Sequence, residues 1–113
     1  MSGSLPEITV NPTPKQEETT KTRRVPPYHV VLHNDDHHSI EFVIGVIQKA
    51  LGFNQQRAIL LTIKAHTEGR AIIWTGPKEV AELKVEQIQT FHEVRERDKT
   101  SLGPLIVTIE PAP

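Results

Sequence analysis

The chain contains no cysteine. That excludes a disulfide framework, a thiolate nucleophile and Cys-ligated zinc, and it fits a reducing compartment. Neither sign of charge dominates. Lys and Arg number 13 and Asp and Glu 14, for a formal net charge of −1, so no general electrostatic pull toward nucleic acid exists. No apolar run approaches the roughly 18 residues that a membrane span needs. The first residues hold no apolar signal core, so the sequence predicts a cytoplasmic protein. No internal repeat is present.

Proline, by contrast, is abundant. There are nine in 113 residues, and Pro6, Pro12, Pro14, Pro26 and Pro27 all precede Tyr28. Residues 1–27 are also rich in Thr and charge and lack helical or strand periodicity, which predicts a flexible N-terminal extension. Lys21, Arg23 and Arg24 are offset by Glu7, Glu17 and Glu18, so it is a mixed-charge tail. Pro26-Pro27 makes a stiff, extended entry to the domain. The core domain is residues 28–113. It holds roughly 80 folded residues, enough for one modest core and one small site but not for a large multi-substrate enzyme.

Tyr28-His-Val-Val-Leu32 reads as a strand. Ser39 is an N-cap, with Glu41 in the first turn of a helix over about Ile40–Leu51 that Gly52 stops. Ile40, Val43, Ile44, Ile47 and Leu51 form one apolar stripe, and Phe42, Val46 and Ala50 add a second flank. That is more apolar perimeter than a surface helix needs. Asn54 caps a second helix that reaches Glu68 and ends at Gly69. Arg70–Thr75 reads as the second strand. Gly76-Pro77 opens a third helix whose expected inward face is Val80, Leu83, Ile88, Phe91 and Val94. Asp98–Gly103 is a turn region, and Leu105–Ile109 is the last strand. The order β-α-α-β-α-β predicts a small α+β sandwich, three helices packed on a three-stranded antiparallel sheet.

Three polar features are candidates for chemistry. His33-Asn-Asp-Asp-His-His38 holds imidazoles and carboxylates that can ligate a metal, but the spacing matches no established site, and a polar strand-to-helix loop contains such residues for turn formation and capping. His66 shares a helix face with Thr62 and Ile59. A lone histidine on a mixed face is usually a satisfied structural residue. Lys84 lies near Glu79 and Glu82, where a solvated charged face is the default. A Ser-His-Asp hydrolase finds no support, because Ser39 and Ser101 lack a Gly-rich nucleophile elbow.

Taken together, these residues resemble the ClpS adaptor family. The resemblance covers Tyr28 to Ala112. It is carried by Asn34-Asp-Asp36, Glu41-Phe-Val-Ile44, Arg57-Ala58, His66, Gly69, Ala71, Glu79-Val-Ala81, Lys84, Pro104-Leu105 and Thr108-x-Glu110. Asn-Asp-Asp alone is weak. With a histidine about thirty residues on, in this order of elements, it is strong. The resemblance implies a non-enzymatic adaptor without cofactor or metal that grips the first residue of N-degron substrates and delivers them to a Clp AAA+ unfoldase–ClpP protease. Asn34, Asp35 and His66 are then the clamp for the α-amino group. The hydrophobic pocket is Asp36, His38, Ile40, Val43, Val46, Thr62 and Ala65. Glu79 and Lys84 dock on the N-terminal domain of the unfoldase, ClpA or ClpC. The extension before Tyr28 presents itself to that unfoldase. The partners implied are peptides and proteins beginning with Phe, Tyr, Trp or Leu, bound by a monomer that engages neither nucleic acid nor membrane.

The chain departs from the family pattern around the pocket. Ile40 and Thr62 stand where the family carries methionine, and His38-Ser39 replaces a common Thr-Pro. Two other readings compete with the adaptor. One is a small metal-binding or enzymatic domain using the His33–His38 cluster with His66. The other is an interaction domain of similar fold without N-terminus specificity, since the C-terminal domain of the ribosomal stalk protein has comparable topology.

Overall fold

The structure, a computed structural model, describes residues 25–113. The expected extension, residues 1–27, therefore lies almost wholly outside the described residues. The elements are β1 (Tyr28–His33), α1 (Ile40–Leu51), α2 (Gln55–Glu68), β2 (Arg70–Gly76), α3 (Lys78–Gln89) and β3 (Val107–Pro111). The three strands form one antiparallel sheet in the order β2-β1-β3, so the first strand is central. The α+β sandwich is the one expected from the order of elements.

Local chemistry sets the boundaries of the first two helices. The Ser39 hydroxyl accepts from the Phe42 N–H at 3.1 Å, and Asn54 Oδ1 accepts from the Arg57 N–H at 2.8 Å. Each satisfies a donor that the first turn leaves free. Gly52 and Gly69 end α1 and α2 in the left-handed region, with φ of 72° and 94°, where a Cβ is strained. Pro77 precedes α3 without a side-chain cap.

Val30 and Leu32 of β1 join Ile47, Ile73, Ile88, Leu105 and Val107 in the core. Each fully buried side chain of this size contributes about 1.5–3 kcal/mol. Ala58, Ala65 and Ala81 are buried on α2 and α3, and their small side chains suit the close packing of these helices on α1 and on the sheet. The β1–β2 register shifts between Val30 and Val31. Ile73 is the extra residue of this bulge, and both Ile73 and Trp74 pack on the core. Val31 points to the opposite face, yet it is fully buried. Arg70, beside His33 on β2, pairs with Glu110, beside His29 on β3. Their ion pair runs diagonally over Val31.

Two expectations about the second half are corrected. The inward face of α3 is Ala81, Val85 and Ile88, not Val80 and Leu83, which are 36% and 49% exposed. The helix stops at Gln89, so Phe91 packs from the following loop, while Val94 is exposed in an isolated bridge to Ser101. The last strand begins at Val107. Leu105 is buried ahead of it, and Pro104 has no N–H to give a ladder.

Candidate functional site

The site forms where the end of β1, the start of α1 and the second half of α2 converge. Asn34 directly follows β1, and its backbone N–H donates to the Gly69 carbonyl at 3.0 Å. This bond pins the loop after β1 to the end of the helix that carries His66. The Asn34 side chain is thereby held at the lip of a cavity.

Asp35 organises the loop. Its Oδ1 accepts the N–H groups of His37 at 2.8 Å and His38 at 3.0 Å, an Asx turn. The His38 ring closes the arrangement, with Nδ1 at 2.9 Å from Asp35 Oδ2 and Nε2 at 2.7 Å from the Gly103 carbonyl. Burial pushes the Asp35 carboxyl up. The N–H of His37, together with the ring, N–H and charge of His38, outweighs that and holds it below its ordinary value. The His38 ring also stacks on Phe42, with centroids 5.4 Å apart. The Ser39 N–H donates to Glu93 Oε1 at 3.0 Å, tying the start of α1 to the segment after α3.

Below this loop lies a cavity of about 170 Å³. Ile40 and Val43 come from α1, and Thr62, Ala65 and His66 from α2. Leu32, His33 and Leu105 complete the wall with Asn34, Asp35, Asp36 and His38. The lining is mixed: Leu32, Ala65 and Leu105 are buried, the Asp35 and His38 side chains are enclosed with their partners, and Asn34, Asp36 and His66 are exposed. Thr62 stands out: it is 4% exposed, and its hydroxyl has no hydrogen-bond partner among the described residues. An unsatisfied buried hydroxyl costs about 1–3 kcal/mol.

The family described as ATP-dependent Clp protease adaptor protein ClpS matches residues 23–108. The chain belongs to the ClpS adaptor family. The ATP-dependent Clp protease adapter protein ClpS of Vibrio cholerae is 39% identical over 97 residues, covering 84% of this chain and 86% of that protein. That of Aromatoleum aromaticum is 42% identical over 76 residues, covering 67% and 74%. Among solved structures, Agrobacterium tumefaciens ClpS2 bound to L-phenylalaninamide superposes with a TM-score of 0.65 and 28% identity, over 79% of this chain and 100% of that one. This ClpS chain is thus an adaptor of the Clp protease and not an enzyme, which removes the small-enzyme reading. Among the described residues no three His, Asp or Glu side chains gather as metal ligands, and no helix is long and apolar enough to cross a membrane.

The cavity of this ClpS adaptor brings together Asn34, Asp35, Asp36, His38, Ile40, Val43, Thr62, Ala65 and His66. Val46, expected in the pocket, instead sits in the core, on the flank of α1 that packs against the other two helices. Leu32, His33 and Leu105 were not anticipated. Leu32 could have been found as the last inward residue of a period-two strand. Leu105 reaches the cavity only through the fold-back of residues 90–106. Glu79 and Lys84 lie apart on α3. Glu79 is exposed, and Lys84 Nζ lies 6.0 Å from the Trp74 ring centroid.

Proposed function

We propose that this adaptor captures proteins by a free α-amino group and a bulky hydrophobic first side chain, and hands them to a Clp AAA+ unfoldase coupled to ClpP. The observation that carries this reading is the cavity itself, whose lining sets Asn34, Asp35 and His66 beside the apolar Ile40, Val43, Ala65 and Leu105. An α-ammonium costs several kcal/mol to bury unless its N–H groups find acceptors. The Asn34 carbonyl, the remaining Asp35 lone pair and a ring nitrogen of His66 supply them, with charge-assisted bonds at the carboxylate. The volume suits one ring, since an apolar cavity of about 150 Å³ holds benzene. Burying a Phe or Leu side chain there adds roughly 1.5–3 kcal/mol. The solved Agrobacterium tumefaciens relative holds L-phenylalaninamide, an aromatic amino acid with a free amine and a capped carboxyl, as the first residue of a chain would present.

Phe, Tyr, Trp and Leu are the first residues that fit this chemistry, whereas Ile and Val crowd the mouth near their β-carbon. Glu79 and Lys84 are the contacts for the N-terminal domain of the unfoldase, ClpA or ClpC. The exposed Val80 and Leu83 between them supply apolar surface on the same helix. The extension before Tyr28 engages the unfoldase during handover, and the adaptor works as a cytoplasmic monomer. The test is fluorescence anisotropy with two Phe-starting peptides, one with a free amine and one acetylated. Binding of the free form alone is expected. Equal binding of both overturns the reading.

A further inference from the structure

His38 has both ring nitrogens within hydrogen-bond distance of oxygens that only accept. Nε2 is 2.7 Å from the Gly103 carbonyl, and Nδ1 is 2.9 Å and 3.1 Å from the two Asp35 carboxylate oxygens. A carbonyl cannot donate, and neither can an ionised carboxylate. Asp35 is held ionised by the two backbone N–H groups it already accepts. A neutral imidazole has one N–H and one lone pair, so it leaves one of these contacts as two facing lone pairs. The imidazolium satisfies both. The two side chains are 4% and 6% exposed, so water does not readily replace a lost bond.

We propose that His38 is the positioning residue of the amine clamp, a doubly protonated strut between Asp35 and Gly103 whose loss of one proton loosens the clamp loop and weakens capture of the first residue. The proposal rests on reading this cavity as the first-residue site. The strut ties together segments far apart in sequence, the loop that presents Asn34 and Asp35 and the segment that leads to Leu105. Phe42 of α1 fixes the plane of the ring by stacking and favours its charge. The other ionisable groups around it are Asp36 and His37 on its own loop, His33 from β1, His66 from α2 across the cavity, and Glu93 from the segment after α3. Glu93 and Asp36 favour the charged ring; His33, His37 and His66, when protonated, oppose it. The sign follows from linkage: the protonated state binds, so affinity is full at low pH and falls as pH rises and His38 loses its proton.

The experiment measures the affinity of a free-amine Phe-starting peptide by anisotropy from pH 5.5 to 7.5, for the parent and for His38→Gln. Titration of the peptide's own α-amine is common to both proteins and cancels in their ratio. The parent is expected to bind roughly tenfold tighter than the variant at the acid end, the factor of one unit of linkage, and the ratio should shrink toward one at the other end. A ratio constant across the range overturns the proposal. Independently, ring ¹⁵N spectra of the parent at pH 6 should show both His38 N–H protons in slow exchange while those of exposed His37 exchange away. A single protonated nitrogen overturns it as well, whether or not the variant folds. Failure of the parent to bind at any pH refutes the first-residue reading instead, and the ¹⁵N spectra still decide the proton state of the ring.

Discussion

The backbone N–H of Asn34 donates to the carbonyl of Gly69 at 3.0 Å, so the loop that carries Asn34 and the helix end that carries His66 are held in register by one main-chain bond. Gly69 adopts φ 94° there with open space around its Cα. Gly69→Ala therefore adds backbone strain without a clash. It should destabilise the fold by about 1–2 kcal/mol and shift Asn34 relative to His66. Urea unfolding checks the first effect and peptide anisotropy the second. Unchanged values in both would show that the link between loop and helix end is slack.

Asp35 organises the loop and, under the proposed function, also meets the ligand. Asp35→Ala then removes a carboxylate beside the captured ammonium, which should weaken binding by roughly 2–5 kcal/mol. A polar strand-to-helix loop, as the sequence reads here, tolerates substitution with little effect on folding when it is exposed. The enclosed carboxylate and its bonds to His37 and His38 change that expectation, and the variant should also be measurably less stable by urea unfolding.

The pH dependence of stability follows from the same group. The Asp35 carboxyl lies below its ordinary value of 3.8 in the folded protein. Its ionised form thus stabilises the fold above that value, and the contribution disappears as pH falls through the folded-state range. Asp35→Asn should give a flatter acid limb in a stability–pH profile between about pH 2 and 5. An acid limb as steep as that of the parent would assign acid sensitivity to other carboxylates.

Thr62 offers a test of pocket chemistry. Thr62→Val keeps the shape and removes the unpartnered hydroxyl, so stability should hold or rise by about 1 kcal/mol. Thr62→Met should move the preference from aromatic first residues toward Leu by roughly 1 kcal/mol, the scale of a methylene or two of packing. Competition among Phe-, Tyr-, Trp- and Leu-starting peptides reads the ranking. The same ranking in parent and Thr62→Met would remove Thr62 from the pocket.

Delivery separates from capture. Deleting Met1 to Arg24 should leave peptide affinity intact and slow degradation of an N-degron substrate by the unfoldase–protease. Lys84→Glu should weaken docking on the unfoldase N-terminal domain and likewise spare peptide binding. Normal degradation rates with the truncated chain would refute a delivery role for the extension.

The parts of the fold that were legible in the sequence are those with local causes. Ser39, Gly52, Asn54 and Gly69 mark helix ends because each acts on backbone groups within one turn. The rim of the site was legible as residue types, Asn34-Asp35 and His66, once the resemblance assigned them. What failed depends on contacts distant in sequence. Val80 and Leu83 fit a helical stripe as well as Ala81 and Val85 do, and only the sheet decides which stripe turns inward. Val46 likewise belongs to the flank of α1 that the other two helices claim. The contact of His38 with Gly103 was hidden for the same reason, since the two lie 65 residues apart.

The central position of β1 has a kinetic consequence. Its two neighbours are β2 and β3, and the second of these pairings joins Tyr28 to Pro111. The sheet cannot close until nearly the whole domain has left the ribosome, which predicts slow, late folding governed by closure of a long loop. Leu105 and Gly103 enter the cavity wall and its strut in that same final step. A nascent chain therefore has no finished cavity, and under the proposed function capture of a first residue begins only when synthesis of the domain is complete.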